Sequence, residues 1–204
     1  MRPDATPDPA PGRQPETAHA IVTHVPRIVD AVAVDARPVV LIDGRSGSGK
    51  TTLARALAAA IDGAQLVRLD DFYPGWDGLD AGSAMVVADV MRMDDPGWRG
   101  WDWNVGRPGT WHPLDAARPL VIEGCGALSR ASRALATFGV WVELDAPTRK
   151  QRALARDGEG YAPYWDRWAT QEDEFIAREH PRSLADLVID ETATASGRVG
   201  TQPQ

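Results

Sequence analysis

The chain holds a single cysteine, Cys125, and four histidines among 204 residues. An internal disulfide is therefore impossible, and no Cys/His cluster has structural zinc spacing. Lysine is nearly missing, with only Lys50 and Lys150. Basic side chains number 22 against 29 acidic ones, a formal charge of -7, so no summed positive field draws the chain to nucleic acid or anionic lipid. No apolar run approaches the roughly 20 residues of a membrane span, and the first sixteen residues lack the apolar stretch of a signal peptide. The expectation is a cytoplasmic protein with a small-molecule substrate, without nucleic acid or membrane as partner. Oligomeric state leaves no mark on composition.

What is present suits one α/β domain, with 43% of residues hydrophobic and 25% charged. Pro3, Pro7, Pro9, Pro11 and Pro15 crowd a nearly apolar-free start, and the tail from Thr192 is small and polar. Neither segment can offset the entropy of ordering it. Disordered arms are expected at 1–16 and 192–204, around a domain over 17–191. Ala18 to Val34 has an amphipathic spacing that Pro26 should divide into a short helix pair. Val39 to Ile42 is a continuous apolar run, as in a strand buried on both faces. Similar runs lie at Gln65 to Leu69, Leu120 to Ile122, Val140 to Leu144 and Leu187 to Ile189. Helical patterns occupy Thr51 to Ile61, Ala81 to Met91, Ser129 to Ala136, Thr148 to Asp157 and Tyr164 to Glu179. This alternation predicts a five-stranded parallel sheet with helices on both faces. Ligands of such sheets bind at the C-terminal strand ends.

Directly after the first run stands Gly44-Arg45-Ser46-Gly47-Ser48-Gly49-Lys50-Thr51, which satisfies G-x-x-x-x-G-K-[ST] between a strand and a helix. Glycines let the backbone coil so that successive N–H groups face phosphate oxygens, and the following helix adds its positive dipole end. Gly44, Ser46, Gly47, Ser48, Gly49, Lys50, Thr51 and Thr52 are thus the expected nucleotide-binding residues. Lys50 would reach the β- and γ-phosphates, Thr51 would ligate Mg²⁺, and Thr52 would approach the α-phosphate.

The second strand ends in Asp70-Asp71-Phe72-Tyr73. A carboxylate there is placed to take a hydroxyl proton during phosphoryl transfer or to hold Mg²⁺ through water. An acidic strand end without catalytic duty is the plainer alternative. Glu123 closes the third apolar run before Gly124, where it suits a Mg²⁺ site or the cap of the next helix. Arg149, Arg152 and Arg156 are spaced i, i+3, i+7, so they project from one side of a helix. They form either a phosphate lid or an exposed face paired with Asp157, Glu159 and Asp166. Eight tryptophans fall unevenly, five of them in an irregular stretch between Phe72 and Pro113. Trp101-Asp102-Trp103 is the piece best suited to approach substrate, since an acid between two aromatics can accept from sugar hydroxyls. The same rings could equally pack an insertion against the sheet, and His112 reads as structural.

Together these motifs resemble the uridine kinase-like branch of P-loop kinases, which includes phosphoribulokinase and bacterial pantothenate kinase. The likeness spans about Pro38 to Ile189. It implies the P-loop NTPase fold with an arginine-bearing lid, an ATP- and Mg²⁺-dependent phosphotransferase, and a nucleoside as first acceptor. By the same resemblance Asp70 is the base for the acceptor hydroxyl, Glu123 and Asp70 help hold Mg²⁺, and Arg149, Arg152 and Arg156 steady the phosphates. Asp71, Tyr73, Trp101, Asp102 and Trp103 are the expected substrate contacts. The segment with which uridine kinases hold ribose and pyrimidine is replaced here by Trp98 to Trp111. A kinase for a non-nucleoside, or an ATP-binding regulator without transfer, remains the alternative. A GTPase switch has only Asp94-Asp95-Pro96-Gly97 as D-x-x-G, with no apolar strand before it and no N-K-x-D.

Overall fold

A computed structural model describes residues 20–192. Its centre is a five-stranded parallel sheet in the order β2-β5-β1-β6-β7, formed by β1 (Val39–Asp43), β2 (Gln65–Arg68), β5 (Leu120–Glu123), β6 (Phe138–Glu143) and β7 (Leu187–Asp190). The side-chain alternation of a strand sends successive residues to opposite faces. Val39, Leu41, Leu120 and Ile122 join one core with Phe72, Tyr73, Trp168 and Phe175, whereas Val40, Ile42, Val121 and Val140 join another with Ile28, Leu53 and Leu57. Both faces are therefore covered, which is why these strands read as unbroken apolar runs.

Two helices cover the second face. In α1 (Val25–Val32), Pro26 stands in the first turn, where its missing N–H costs nothing; Ile28 and Val32 are buried. Residues 20–22 form a separate turn of helix, so the proline divides the segment as its spacing predicts. Helix α2 (Lys50–Ala60) buries Leu53, Ala54 and Leu57 against the sheet.

On the first face lie α3 (Leu79–Met85), continued by a π turn over Val86–Val90, the short α4 (Arg130–Arg133), α6 (Trp165–Glu179) and the single-turn α7 (Pro181–Leu184). Helix α5 (Ala146–Asp157) follows β6. Its N-cap carboxylate, Asp145, accepts from the Thr148 N–H at 2.9 Å, and Pro147 fits the first turn.

The stretch between Phe72 and Pro113 is more regular than expected. Besides α3 it contains an antiparallel hairpin, β3 (Gly97–Asp102) and β4 (Arg107–Pro113), with a register shift between Arg99 and Trp101. Its sequence hid this because both faces carry tryptophan, glycine and charge instead of alternating apolar and polar residues. The expected arms at 1–16 and 192–204 lie outside the described residues, apart from Thr192, whose N–H donates to Asp190 at 3.0 Å. Among the described residues no helix is long and apolar enough to cross a membrane.

Candidate active site

Strand β1 ends in Asp43, which is buried and organises the sheet edge above it. Its carboxylate accepts from the N–H groups of Gly44 (2.6 Å), Gly126 (3.1 Å) and Leu128 (2.8 Å). Burial pushes its acid up to about 6, against those three bonds and the nearby Lys50 charge, which favour the ionised form. The phosphate loop leaves from here and closes on Gly49, whose φ of 103° reverses the chain into α2. At Gly47 a Cβ would lie 2.2 Å from the Arg149 carbonyl oxygen, so only glycine lets the loop pass.

Above the loop opens a cleft of about 1210 Å³ lined by Ser46 to Thr52, Arg68, Asp70, Tyr73 and the aromatic and lid residues considered below. Lys50 opens α2 and is mostly buried. Burial works against its charge, yet the surrounding acidic groups, Glu123, Asp70 and Glu172 among them, outweigh it and hold the ammonium above its ordinary value. Glu123 is fully buried. Burial raises its acid while Lys50 and Arg68 pull it down. Its Oε1 accepts from Arg68 Nε at 3.2 Å, and among the described residues its Oε2 has no hydrogen-bond partner. Arg68 also donates through Nη2 to Asp70 Oδ2 at 3.3 Å. One guanidinium fork thus spans the two acids singled out in the sequence, a link that the alternation of a strand end gave no means to see.

The donor set suits Mg²⁺. The Glu123 carboxylate, with the Thr51 hydroxyl beside it, offers hard oxygen ligands, and phosphate oxygens would supply others. Among the described residues no group of three His, Cys, Asp or Glu could hold a metal ion by itself.

Several expected residues stand elsewhere. Arg149 is 5% exposed and does not face the cleft: its Nε donates to the Leu144 carbonyl at 3.1 Å and its Nη1 to the Ser46 carbonyl at 3.2 Å. Within one turn of the sheet, the helix still points its side chains back under the loop. Of the three helix arginines, Arg152 and Arg156 line the cleft, and Arg156 is clasped by Asp157 through two 2.7 Å bonds. Gly44 also lies outside the lining, packed where a Cβ would come 2.4 Å from the Val142 carbonyl oxygen. Asp71 is exposed outside the lining, its acid raised by burial of its surroundings despite Arg68. Tyr73 contributes ring surface only, because its hydroxyl donates to the Cys125 carbonyl at 2.6 Å. Trp101 and Asp102 do not line the cleft; Asp102 accepts from the Asn104 N–H in the hairpin turn. Trp103 does line it, and its Nε1 donates to the Asp70 carbonyl at 3.1 Å.

The aromatic wall is formed by rings whose meeting was not foreseen. Trp76 stacks on Tyr164 at 4.3 Å and Tyr161 at 5.4 Å, with Trp103 tilted at 5.0 Å. Behind the phosphate loop, Glu172 of α6 is the other unforeseen residue. It accepts from the Ser46 N–H at 2.7 Å, from Arg45 Nε at 3.0 Å and from the Cys125 thiol at 3.2 Å. Burial holds that thiol above its ordinary value, so it is a packing group rather than a nucleophile.

A phosphate loop on the central strand, an acid past the edge strand and an arginine helix beside them define a protein of the P-loop nucleotide-binding class. The profile of the AAA domain family matches residues 40–175, and the chain belongs to that family. The fold is shared with a candidate uridine kinase from Bacillus stearothermophilus, at a TM-score of 0.59 and 19% identity, covering 85% of this chain and 100% of that one. It is shared too with a candidate fructose transport system kinase from Silicibacter sp. TM1040, at a TM-score of 0.52 and 17% identity, covering 82% and 98%. No protein of curated function matches the sequence.

Proposed function

We propose that the protein transfers the γ-phosphate of ATP, with Mg²⁺, to a hydroxyl of a small molecule, with a nucleoside first among acceptors. One observation carries the reading: Asp70, Lys50 and the phosphate loop line a single cleft. The loop amides and Lys50 hold the triphosphate tail, and Thr51 with Glu123 would hold the metal. When bound, the ion would neutralise charge between the β- and γ-phosphates. Asp70 accepts the acceptor's hydroxyl proton as that oxygen bonds to the γ-phosphorus and the bond to the β-phosphate oxygen breaks, releasing ADP. Arg152 and Arg156 offset charge on the moving phosphoryl group. The aromatic rings of Trp76, Trp103 and Tyr164 along the cleft support an acceptor that carries a ring, in line with the uridine kinase named among the structures of like fold.

The test is ADP release from Mg²⁺-ATP across nucleosides, vitamins and sugars, with Lys50→Ala as the blank. Asp70→Asn is expected to keep nucleotide affinity and to lose turnover by on the order of a hundredfold or more. Binding of ATP without acceptor-dependent ADP release would instead identify a nucleotide-binding regulator.

A further inference from the structure

The acids that would meet the terminal phosphate, Glu123 and Asp70, stand at the end of β5 and just past β2, on one side of β1. A triphosphate lying on the loop with its γ end toward them carries its nucleoside the other way, over the ends of β6 and β7. The first residue past β7 is Glu191, which lines the same cleft. Ile21 lines it too, packs in one core with Leu187 and Ile189 of β7, and lies 3.2 Å from where a Cβ on Gly49 would stand. Glu191 is 6% exposed, is held by its N–H donating to the Glu143 carbonyl at 3.1 Å, and among the described residues leaves Oε2 buried without a hydrogen-bond partner. An unpartnered buried carboxylate oxygen is costly, and its charge has the wrong sign for phosphate. It is suited to a neutral group that donates N–H or O–H.

We propose that Glu191 binds the nucleoside end of the phosphate donor, accepting a hydrogen bond from a base N–H or a ribose hydroxyl. The proposal rests on the nucleotide reading above, but the two fail separately.

The experiment is equilibrium binding to the full chain with Mg²⁺, followed by calorimetry, for ATP, GTP, 2′-deoxy-ATP, 3′-deoxy-ATP and inorganic tripolyphosphate. Glu191→Ala is expected to weaken ATP or GTP by about tenfold or more while leaving tripolyphosphate within about twofold. Glu191→Gln, which keeps the volume and an acceptor but not the charge, should fall between; if the alanine chain does not fold, the same comparison is read on it. A deoxy nucleotide that binds the wild type as weakly as ATP binds the variant assigns the contact to that hydroxyl; deoxy nucleotides that bind like ATP assign it to the base. Unchanged nucleotide affinity, an equal loss for tripolyphosphate, or a gain for every ligand overturns the proposal. A wild type that binds no tripolyphosphate at all overturns the phosphate-loop reading instead.

Discussion

Asp43 is the residue on which the sheet edge converges, and its position has a thermodynamic signature. Its acid stands at about 6 in the fold against an ordinary 3.8. A group raised in this way contributes stability that is fully present below about pH 4 and is lost as the pH rises through about 6. The shift corresponds to ~3 kcal/mol. In urea titrations at several pH values, the unfolding free energy of wild type should fall relative to Asp43→Asn between pH 4 and 6. The difference should then level off above pH 7. A difference that stays constant from pH 4 to 8 would place the acid at its ordinary value. Asp43 was invisible beforehand, since a strand-terminal aspartate before a glycine carries no motif of its own.

At the scale of elements, the strands and the phosphate loop could be read in advance because both leave local traces. A strand buried on two faces is an unbroken apolar run, and the loop needs glycines at set intervals. The β3/β4 hairpin left none because both its faces mix tryptophan, glycine and charge, and the aromatic wall none because Trp76 meets Tyr161 and Tyr164 across more than 80 residues of chain. The lid was legible as a helix but not in its details. A common helix side does not place all arginines in a common environment when the first turn is still beneath the loop, as Arg149 shows. The hairpin's contribution can be isolated at its tip, where Trp103 donates to the Asp70 carbonyl. Trp103→Phe keeps a ring and removes that bond. It should raise KM for the acceptor by about threefold or more and leave KM for ATP unchanged in steady-state kinetics. A rise in both would mean that the tip shapes the whole cleft.

Across the whole molecule, α6 is the element through which distant parts are held in register. Its Gln171 donates to the Trp76 carbonyl at 2.7 Å, and its Glu172 ties to Arg45 and Ser46, more than 120 residues away in sequence. Glu172→Ala would leave the Ser46 amide without its partner and Arg45 with Asp173 alone for its charge, a loss on the order of 3 kcal/mol. The thermal midpoint should drop by roughly 6–12 °C, checked by circular dichroism melting. A midpoint within about 2 °C of wild type would show the loop standing without α6.

The face of Trp76 that lies 4.3 Å from Tyr164 is already covered. Any flat guest reaching that face must displace the tyrosine, so its affinity is the margin between two comparable stacks. Such an exchange discriminates weakly among guests by ring chemistry alone. Under the proposed phosphoryl transfer, selectivity must then come from where each guest's hydroxyl falls, which would make this a tolerant seat with a strict point of reaction.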